Sequence, residues 1–166
     1  TLYDSDVIFQ DLGDLELDTK YSDVEIQKAG NVDLESYDDN IQFDQLKNVE
    51  GEAKDSEVEF RNNLEKCALT LYDSDIEAEN IKVLLLDSKY SEIEAGIVGL
   101  LKSDELYDND ISAKGVVEII VNESKYDNFK IGGIQEKIEI SSSHDSDLRA
   151  EKVSGKFKSF AGEYKY

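Results

Sequence analysis

Apolar residues recur along this chain in alternating pairs rather than in long runs. Val24-Glu25-Ile26, Ile41-Gln42-Phe43, Val58-Glu59-Phe60, Ile76-Glu77-Ala78, Ile93-Glu94-Ala95 and Phe129-Lys130-Ile131 all place one polar side chain between two apolar ones. A period of two is that of a half-buried strand, so a helical reading fails. The first members of these pairs are Val7, Val24, Ile41, Val58, Ile76, Ile93, Ile111, Phe129 and Leu148, at successive spacings of 17, 17, 17, 18, 17, 18, 18 and 19 residues. A second pair precedes each unit's small polar corner, for example Leu15 with Leu17, Leu69 with Leu71, Leu84 with Leu86, and Ile138 with Ile140. A third apolar point follows the first pair, at Leu12, Leu46, Leu64, Ile81, Val98, Val116, Ile134 and Val153. Each unit therefore offers two short strands and one further inward residue. One unit cannot bury that surface alone; stacked units can.

Two architectures accept such units: a parallel β-solenoid with one coil per unit, and an antiparallel meander with one hairpin per unit. The polar corners discriminate between them. Counting back four residues from each first apolar position gives Tyr3, Lys20, Tyr37, Lys54, Tyr72, Lys89, Tyr107, Lys125 and His144. Counting back three gives Asp4, Tyr21, Asp38, Asp55, Asp73, Tyr90, Asp108, Tyr126 and Asp145. Aromatic and cation alternate in the first column, and Asp and Tyr alternate in the second except at Asp55. If coils stack directly, a uniform lysine column would set ammonium groups side by side, whereas alternation inserts a ring between successive cations. Such a contact is worth about 0.5–1 kcal/mol at an exposed site. Duplication of a two-coil ancestor would leave the same pattern. Counting back two gives Ser5, Ser22, Asp39, Ser56, Ser74, Ser91, Asn109, Asp127 and Ser146, small side chains that suit a tight corner.

The expected fold is thus all-β: one parallel β-solenoid, a right-handed β-helix, over residues 1–166. Residues 1–155 form about nine coils, on the order of 40 Å long from the strand spacing. The first coil lacks its preceding strand, an open end that invites edge pairing. Residues 156–166 leave the corner pattern, bringing Phe157, Phe160, Tyr164 and Tyr166 with Lys156, Lys158 and Lys165, and are expected to cap the solenoid.

Charge narrows the partners. The chain has 39 acidic and 18 basic residues, a net charge of −21, which repels phosphate backbones and anionic headgroups. Nucleic acid is not an expected partner, and no apolar run approaches the roughly 20 residues needed for membrane insertion as a helix. Cys67 is the one cysteine, so it forms no internal disulfide, and its apolar register predicts burial.

Four kinds of candidate chemistry can be weighed. Tyr3, Lys20, Tyr37, Lys54, Tyr72, Lys89, Tyr107 and Lys125 form a column of rings and cations flanked by aspartates, a surface suited to a protein or glycan partner. The acidic corners, with Asp73, Asp75, Asp108 and Asp110 as the metal candidates, offer oxygen ligands to calcium. However, neither the glycine-rich nonapeptide of calcium-binding β-rolls nor an EF-hand loop is present, so no cofactor is expected. Polysaccharide cleavage needs carboxylates concentrated at one place, and here they recur in every coil. His144, near Asp145, Asp147 and Ser141 to Ser143, fits the aromatic slot of the repeat rather than a triad, so no enzyme is expected.

Ser22-Asp23-Val24-Glu25-Ile26, Ser56-Glu57-Val58-Glu59-Phe60, Ser74-Asp75-Ile76-Glu77-Ala78 and Ser91-Glu92-Ile93-Glu94-Ala95 carry a resemblance that spans nearly the whole chain. The pattern resembles a bacterial adhesin family of short-coil repeat β-helix domains, and more weakly the bactofilin-like cytoskeletal solenoids. The family's corner is typically glycine, where this chain has Ser, Asp or Asn. The resemblance implies a right-handed β-helix, exposure at the cell envelope (periplasmic or at the surface) and no catalytic residues. The bactofilin-like alternative implies a cytoplasmic scaffold that assembles end to end.

Overall fold

The computed structural model describes residues 1–159 and 163–165. The strands are β1 (Leu2–Tyr3), β2 (Asp6–Phe9), β3 (Leu15–Lys20), β4 (Asp23–Ile26), β5 (Asn31–Tyr37), β6 (Asn40–Phe43), β7 (Asn48–Lys54), β8 (Glu57–Tyr72), β9 (Asp75–Lys89), β10 (Glu92–Tyr107), β11 (Asp110–Lys125), β12 (Asn128–His144), β13 (Asp147–Val153), β14 (Lys156–Ser159) and β15 (Glu163–Lys165). They form one 15-stranded sheet that winds as a β-solenoid, and each strand pairs in parallel with a strand one coil away. The meander is excluded.

Register follows the repeat. Val7 lies opposite Val24, Val24 opposite Ile41, and Ile41 opposite Val58. Val58 is then paired with Ile76, Ile76 with Ile93, Ile93 with Ile111, Ile111 with Phe129, and Phe129 with Leu148. Where a coil is a residue longer than its neighbour, the ladder shifts locally, as between Phe60 and Asn63 and between Val116 and Glu118. The inward column stays in line, because a one-residue slip through a whole strand would turn its apolar set outward.

Inside, the columns make a single core. Val24, Ile41, Val58, Ile76, Ile93, Ile111 and Phe129 are buried, as are Ala29, Leu46, Leu64, Ile81, Val98, Val116 and Ile134 at the third apolar point. Phe43 stacks on Phe60 at 5.5 Å with 13° between the rings, and the column then narrows to Ala78 and Ala113. Each buried Ile, Val, Leu or Phe contributes roughly 1.5–3 kcal/mol relative to exposure. Core burial is therefore the main favourable term in this fold. Cys67 is fully buried, and burial pushes its thiol pKa up to about 12, so it packs and does not react at neutral pH.

One sequence expectation needs correction. Two short strands per unit hold only for the first coils; β8 to β12 are continuous strands of 15 to 17 residues. Strand backbone continues through the third apolar point; the pairing skips the residue just after it, as at Lys82 and Gly99, and resumes at the next. Among the expected cap residues, β14 pairs with β12 and β15 with β13, so the backbone of this segment continues the stack. Phe160 and Tyr166, and the side chains of Phe157 and Tyr164, lie outside the described residues.

Gly51 interrupts an inward column that reads Leu17, Leu34, Gly51, Leu69 and Leu86. Its φ is +134°, and a Cβ there would sit 2.0 Å from the carbonyl oxygen of Leu34. The column pattern asks for leucine; the backbone forbids it. Gly51→Leu is therefore expected to destabilise by roughly 1–3 kcal/mol in urea unfolding, against the trend of repeat consensus, with backbone strain as the cause. An equal or higher midpoint for the variant would show that this position relaxes freely.

Candidate functional site: the tyrosine corner

The corner between successive strands solves one hydrogen-bonding problem in every coil. Its second residue takes a left-handed backbone in all nine described corners: Asp4, Tyr21, Asp38, Asp55, Asp73, Tyr90, Asp108, Tyr126 and Asp145, with φ from 48° to 60°. The amide of this residue donates to the carbonyl one position earlier in the next coil, as from Asp38 N to Lys54 O and from Asp73 N to Lys89 O, both at 2.9 Å. Two residues on, the amide donates back to the preceding coil, as from Glu57 N to Asp39 O at 2.9 Å. Between these lies the column of Ser22, Asp39, Ser56, Ser74, Ser91, Asn109, Asp127 and Ser146, all buried.

The amides of this column find no carbonyl. From Ser22 to Asp127 each donates instead to the side chain of the same column in the next coil: Ser22 N to Asp39 Oδ1 at 2.8 Å, Asp39 N to Ser56 Oγ at 3.2 Å, Ser56 N to Ser74 Oγ at 3.2 Å, Ser74 N to Ser91 Oγ at 3.1 Å, and Ser91 N to Asn109 Oδ1 at 3.1 Å. The ladder continues from Asn109 N to Asp127 Oδ1 at 3.0 Å and from Asp127 N to Ser146 Oγ at 3.1 Å. The serine hydroxyls in turn donate to a carbonyl of their own coil, as from Ser74 Oγ to Tyr72 O at 3.0 Å. A buried amide left unpaired costs about 1–3 kcal/mol, so every coil needs a short acceptor here. Sequence reasoning assigned these residues to the bend alone and missed their link to the next coil.

Asp39 and Asp127 fill the column with carboxylates. Asp39 Oδ2 accepts from Ser36 Oγ and from Tyr37 N, both at 2.8 Å. Asp127 accepts from Asn109 Nδ2 at 2.8 Å and from Ser124 Oγ at 2.7 Å. Burial raises the Asp127 pKa above the ordinary carboxylate range, and the bonds from Ser124 and Asn109 only partly offset it.

Outside this ladder stand the aromatic rings. Tyr3 meets Tyr21 edge to face at 5.7 Å, and Tyr21 meets Tyr37 at 5.7 Å. After a break at Asp55 the series resumes: Tyr72, Tyr90, Tyr107, Tyr126 and His144 make successive edge contacts at 5.6, 5.4, 5.5 and 5.5 Å. The two corner columns thus combine. A ring at the strand end of one coil packs on a ring in the left-handed position of the next. Left-handed backbone costs a bulky residue on the order of 1–3 kcal/mol, and each edge-to-face pair gives back about 0.5–1.5 kcal/mol. Tyr90 and Tyr126, each with two ring neighbours, recover most of the strain.

The expected ring between successive cations is realised only in part. Lys20 Nζ lies 4.9 Å from the Tyr21 ring and 4.3 Å from Tyr37, and Lys54 Nζ lies 5.2 Å from Tyr37 and 5.5 Å from Tyr72. Lys54 bridges the place where Asp55 breaks the ring series. Lys89 turns instead to Glu105 at 3.6 Å, and Lys125 to Glu123 at 2.7 Å. Lys89 thus reaches a carboxylate of the next coil and Lys125 one of its own strand.

Tyr3, Tyr21, Tyr72, Tyr90 and Tyr126 are all between 41% and 65% exposed, while Tyr37 and Tyr107 are half-buried. Tyr90 has its phenol pKa raised, first by removal from water among its neighbours and then by Tyr107 and Tyr72. Beside the rings, a hollow of about 550 Å³ follows the corner over the coils that flank Asp55, lined by Tyr21, Asp23, Asp38, Asp55, Glu57 and Asp73. The metal candidates Asp73, Asp75, Asp108 and Asp110 are exposed on this edge, and among the described residues no three His, Cys, Asp or Glu side chains converge as metal ligands. His144 Nε2 lies 3.4 Å from Asp145 Oδ2, and its ring closes the series against Tyr126, the place its column predicts.

No family model, curated protein or solved structure matches this chain.

The raised Asp127 pKa has a definite sign. The folded state holds this proton more tightly than the unfolded chain, so the contribution of Asp127 is largest at low pH and declines as pH rises from the ordinary carboxylate pKa, about 4, towards the folded value. Asp127→Ser, the residue most coils use here, keeps a neutral acceptor for Asn109. Urea unfolding should show wild type losing ground to this variant as pH rises through that window. A difference that stays constant with pH would contradict the assignment.

Proposed function

We propose that this chain is a non-catalytic repeat module of adhesin type from a bacterial cell envelope, and that its tyrosine corner meets a protein or glycan at a surface. The observation that carries this reading is the series of exposed and half-buried rings, each in edge contact with its neighbours, running along one edge of the solenoid. A binding surface loses affinity when side chains must be ordered on contact; rings already held edge to face avoid much of that cost. Aspartates alternate with the rings in the left-handed column and can accept hydrogen bonds from sugar hydroxyls or peptide donors. Tyrosine supplies an apolar face and a polar tip together, which suits both glycans and protein hot spots. A net charge of −21 favours such partners over nucleic acid or anionic lipid.

The non-catalytic part of the proposal rests on distribution. Carboxylates recur in each coil instead of gathering at one place, and the rings they flank repeat in the same way. Recurrence suits an extended contact in which many weak units act together.

The test uses substitutions that the fold already tolerates elsewhere. Tyr90→Asp and Tyr126→Asp put into the left-handed position the residue found there at Asp73 and Asp108. The double variant should fold with a thermal midpoint within a few degrees of wild type and lose binding on glycan arrays or to envelope proteins. Undiminished binding by the double variant, or silence of the wild type across both kinds of probe, would overturn the reading.

A further inference from the structure

Oxidising equivalents that reach this chain have few side chains to take them up. Methionine, cysteine and tryptophan ordinarily do so, and the chain has no methionine, no tryptophan and a single cysteine. Cys67 is fully buried with its thiol pKa pushed up to about 12, so it offers neither access nor thiolate. Tyrosine is the next most readily oxidised side chain. Seven of the nine tyrosines stand in the corner series, and five of those, Tyr3, Tyr21, Tyr72, Tyr90 and Tyr126, are between 41% and 65% exposed. The corner is therefore where a one-electron oxidant meets the chain.

We propose that the tyrosine corner is a site of oxidative crosslinking, at which neighbouring phenols of successive coils are joined as dityrosine within one chain. The oxidant is hydrogen peroxide acting through a haem peroxidase. It takes one electron and one proton from each of two phenols, leaving two tyrosyl radicals, and is itself reduced to two waters. The radicals pair their electrons in one carbon-carbon bond between the positions ortho to each hydroxyl. The hydrogen on each bonded carbon then passes through water to the phenol oxygen, so each link leaves the chain two hydrogen atoms lighter. The proposal needs the rings alone, and no ligand bound at them.

Geometry selects the partners. Ring centres lie 5.4 to 5.7 Å apart along Tyr3, Tyr21 and Tyr37 and along Tyr72, Tyr90, Tyr107 and Tyr126, with successive rings at 77° to 87°. An edge of one ring already touches the next, and the soft χ2 torsion of tyrosine can turn the two ortho carbons together. Lys54 and Asp55 stand between the two rows, which are therefore separate. A radical on one ring has its partner in contact, at an effective concentration above that of any second chain, and the net charge of −21 keeps other chains apart. Links thus form within the chain. Each spans 16 to 19 positions, from Tyr21 to Tyr37 at the shortest and from Tyr107 to Tyr126 at the longest. In a chain whose one cysteine forms no internal disulfide, such a link ties coil to coil as a disulfide would.

The experiment treats the full chain, dilute, with a haem peroxidase and limiting hydrogen peroxide, and maps the product by mass spectrometry. Cleavage after lysine and arginine puts each of the seven rings on its own peptide. The product should show dityrosine fluorescence, run as a single chain on a denaturing gel, and yield linked peptides only between ring neighbours, such as Tyr72 with Tyr90 and Tyr107 with Tyr126. Tyr90→Phe combined with Tyr126→Phe keeps the rings but leaves Tyr72 and Tyr107 with no phenol in contact. That variant should keep links among Tyr3, Tyr21 and Tyr37 and lose all others, while thermal unfolding before treatment checks that its coils are intact. The linked wild-type chain should melt about 5 °C or more above the untreated one. Chains that lose no hydrogen, links formed mainly between chains, Tyr72 joined to Tyr107, or an unchanged midpoint after linking would overturn the proposal.

Discussion

The structure depends on one amide in each coil. At the corner the chain shifts its side-chain alternation, and the amide of the third corner residue points along the stack to the next coil, where it meets a side chain and not a carbonyl. The side chain of the same position in the next coil supplies the acceptor, from Ser22 to Asp39 and onward to Ser146. Because each coil answers the need of its neighbour, the corner fixes the stacking register as well as the bend. The left-handed backbone of the residue before it follows from the same geometry. Asp suits that backbone readily, and tyrosine is held there by ring contacts on both sides.

From this constraint follows the surface. Corners stacked in register bring their outermost side chains into line about 4.8 Å apart. Uniform charge there would be costly, and the chain alternates instead. Rings from two columns interleave into one edge-to-face series, lysines bridge or fold away, and aspartates fill the remaining places. At the break, where Asp55 stands in place of a ring, Lys54 reaches to Tyr37 and Tyr72 on either side. The acidic residues left over point to solvent, and the outward lysines, valines and leucines gather on a different face.

Much of this was legible in the sequence, for physical reasons that differ by residue. The inward columns were readable because period-two alternation leaves few choices, and the spacings of 17 to 19 residues are the register itself. Burial of Cys67 and the place of His144 followed from their columns. The continuous strands β8 to β12 were not readable, since the glycines at three of the bends (Gly96 and Gly99, Gly115, Gly132 and Gly133) read as breaks, although strand backbone runs on through them. Nor was the ring series: tyrosines three and four residues before the apolar position sit in separate columns, and only the left-handed backbone swings them into one line. A signal was present in the exchange of Tyr-Asp for Lys-Tyr between coils, which Lys54-Asp55 breaks and His144-Asp145 ends. The outward apolar residues Val83, Leu85 and Leu100 were hidden because runs such as Val83-Leu84-Leu85-Leu86 read as core on both sides. Nothing in the sequence marks the φ of Gly51 or its closeness to Leu34, which only the folded backbone shows.

Hydrogen exchange followed by NMR tests the central claim most directly. Amides at the tip of an exposed tight turn normally exchange quickly, but here the amides of Ser56, Ser74, Ser91 and Asn109 are donated to buried side chains of the next coil. They should exchange as slowly as the neighbouring strand amides of Ile76 and Ile93. Fast exchange at these four positions beside protected strands would contradict the account, because the corner would then bend the chain without joining one coil to the next.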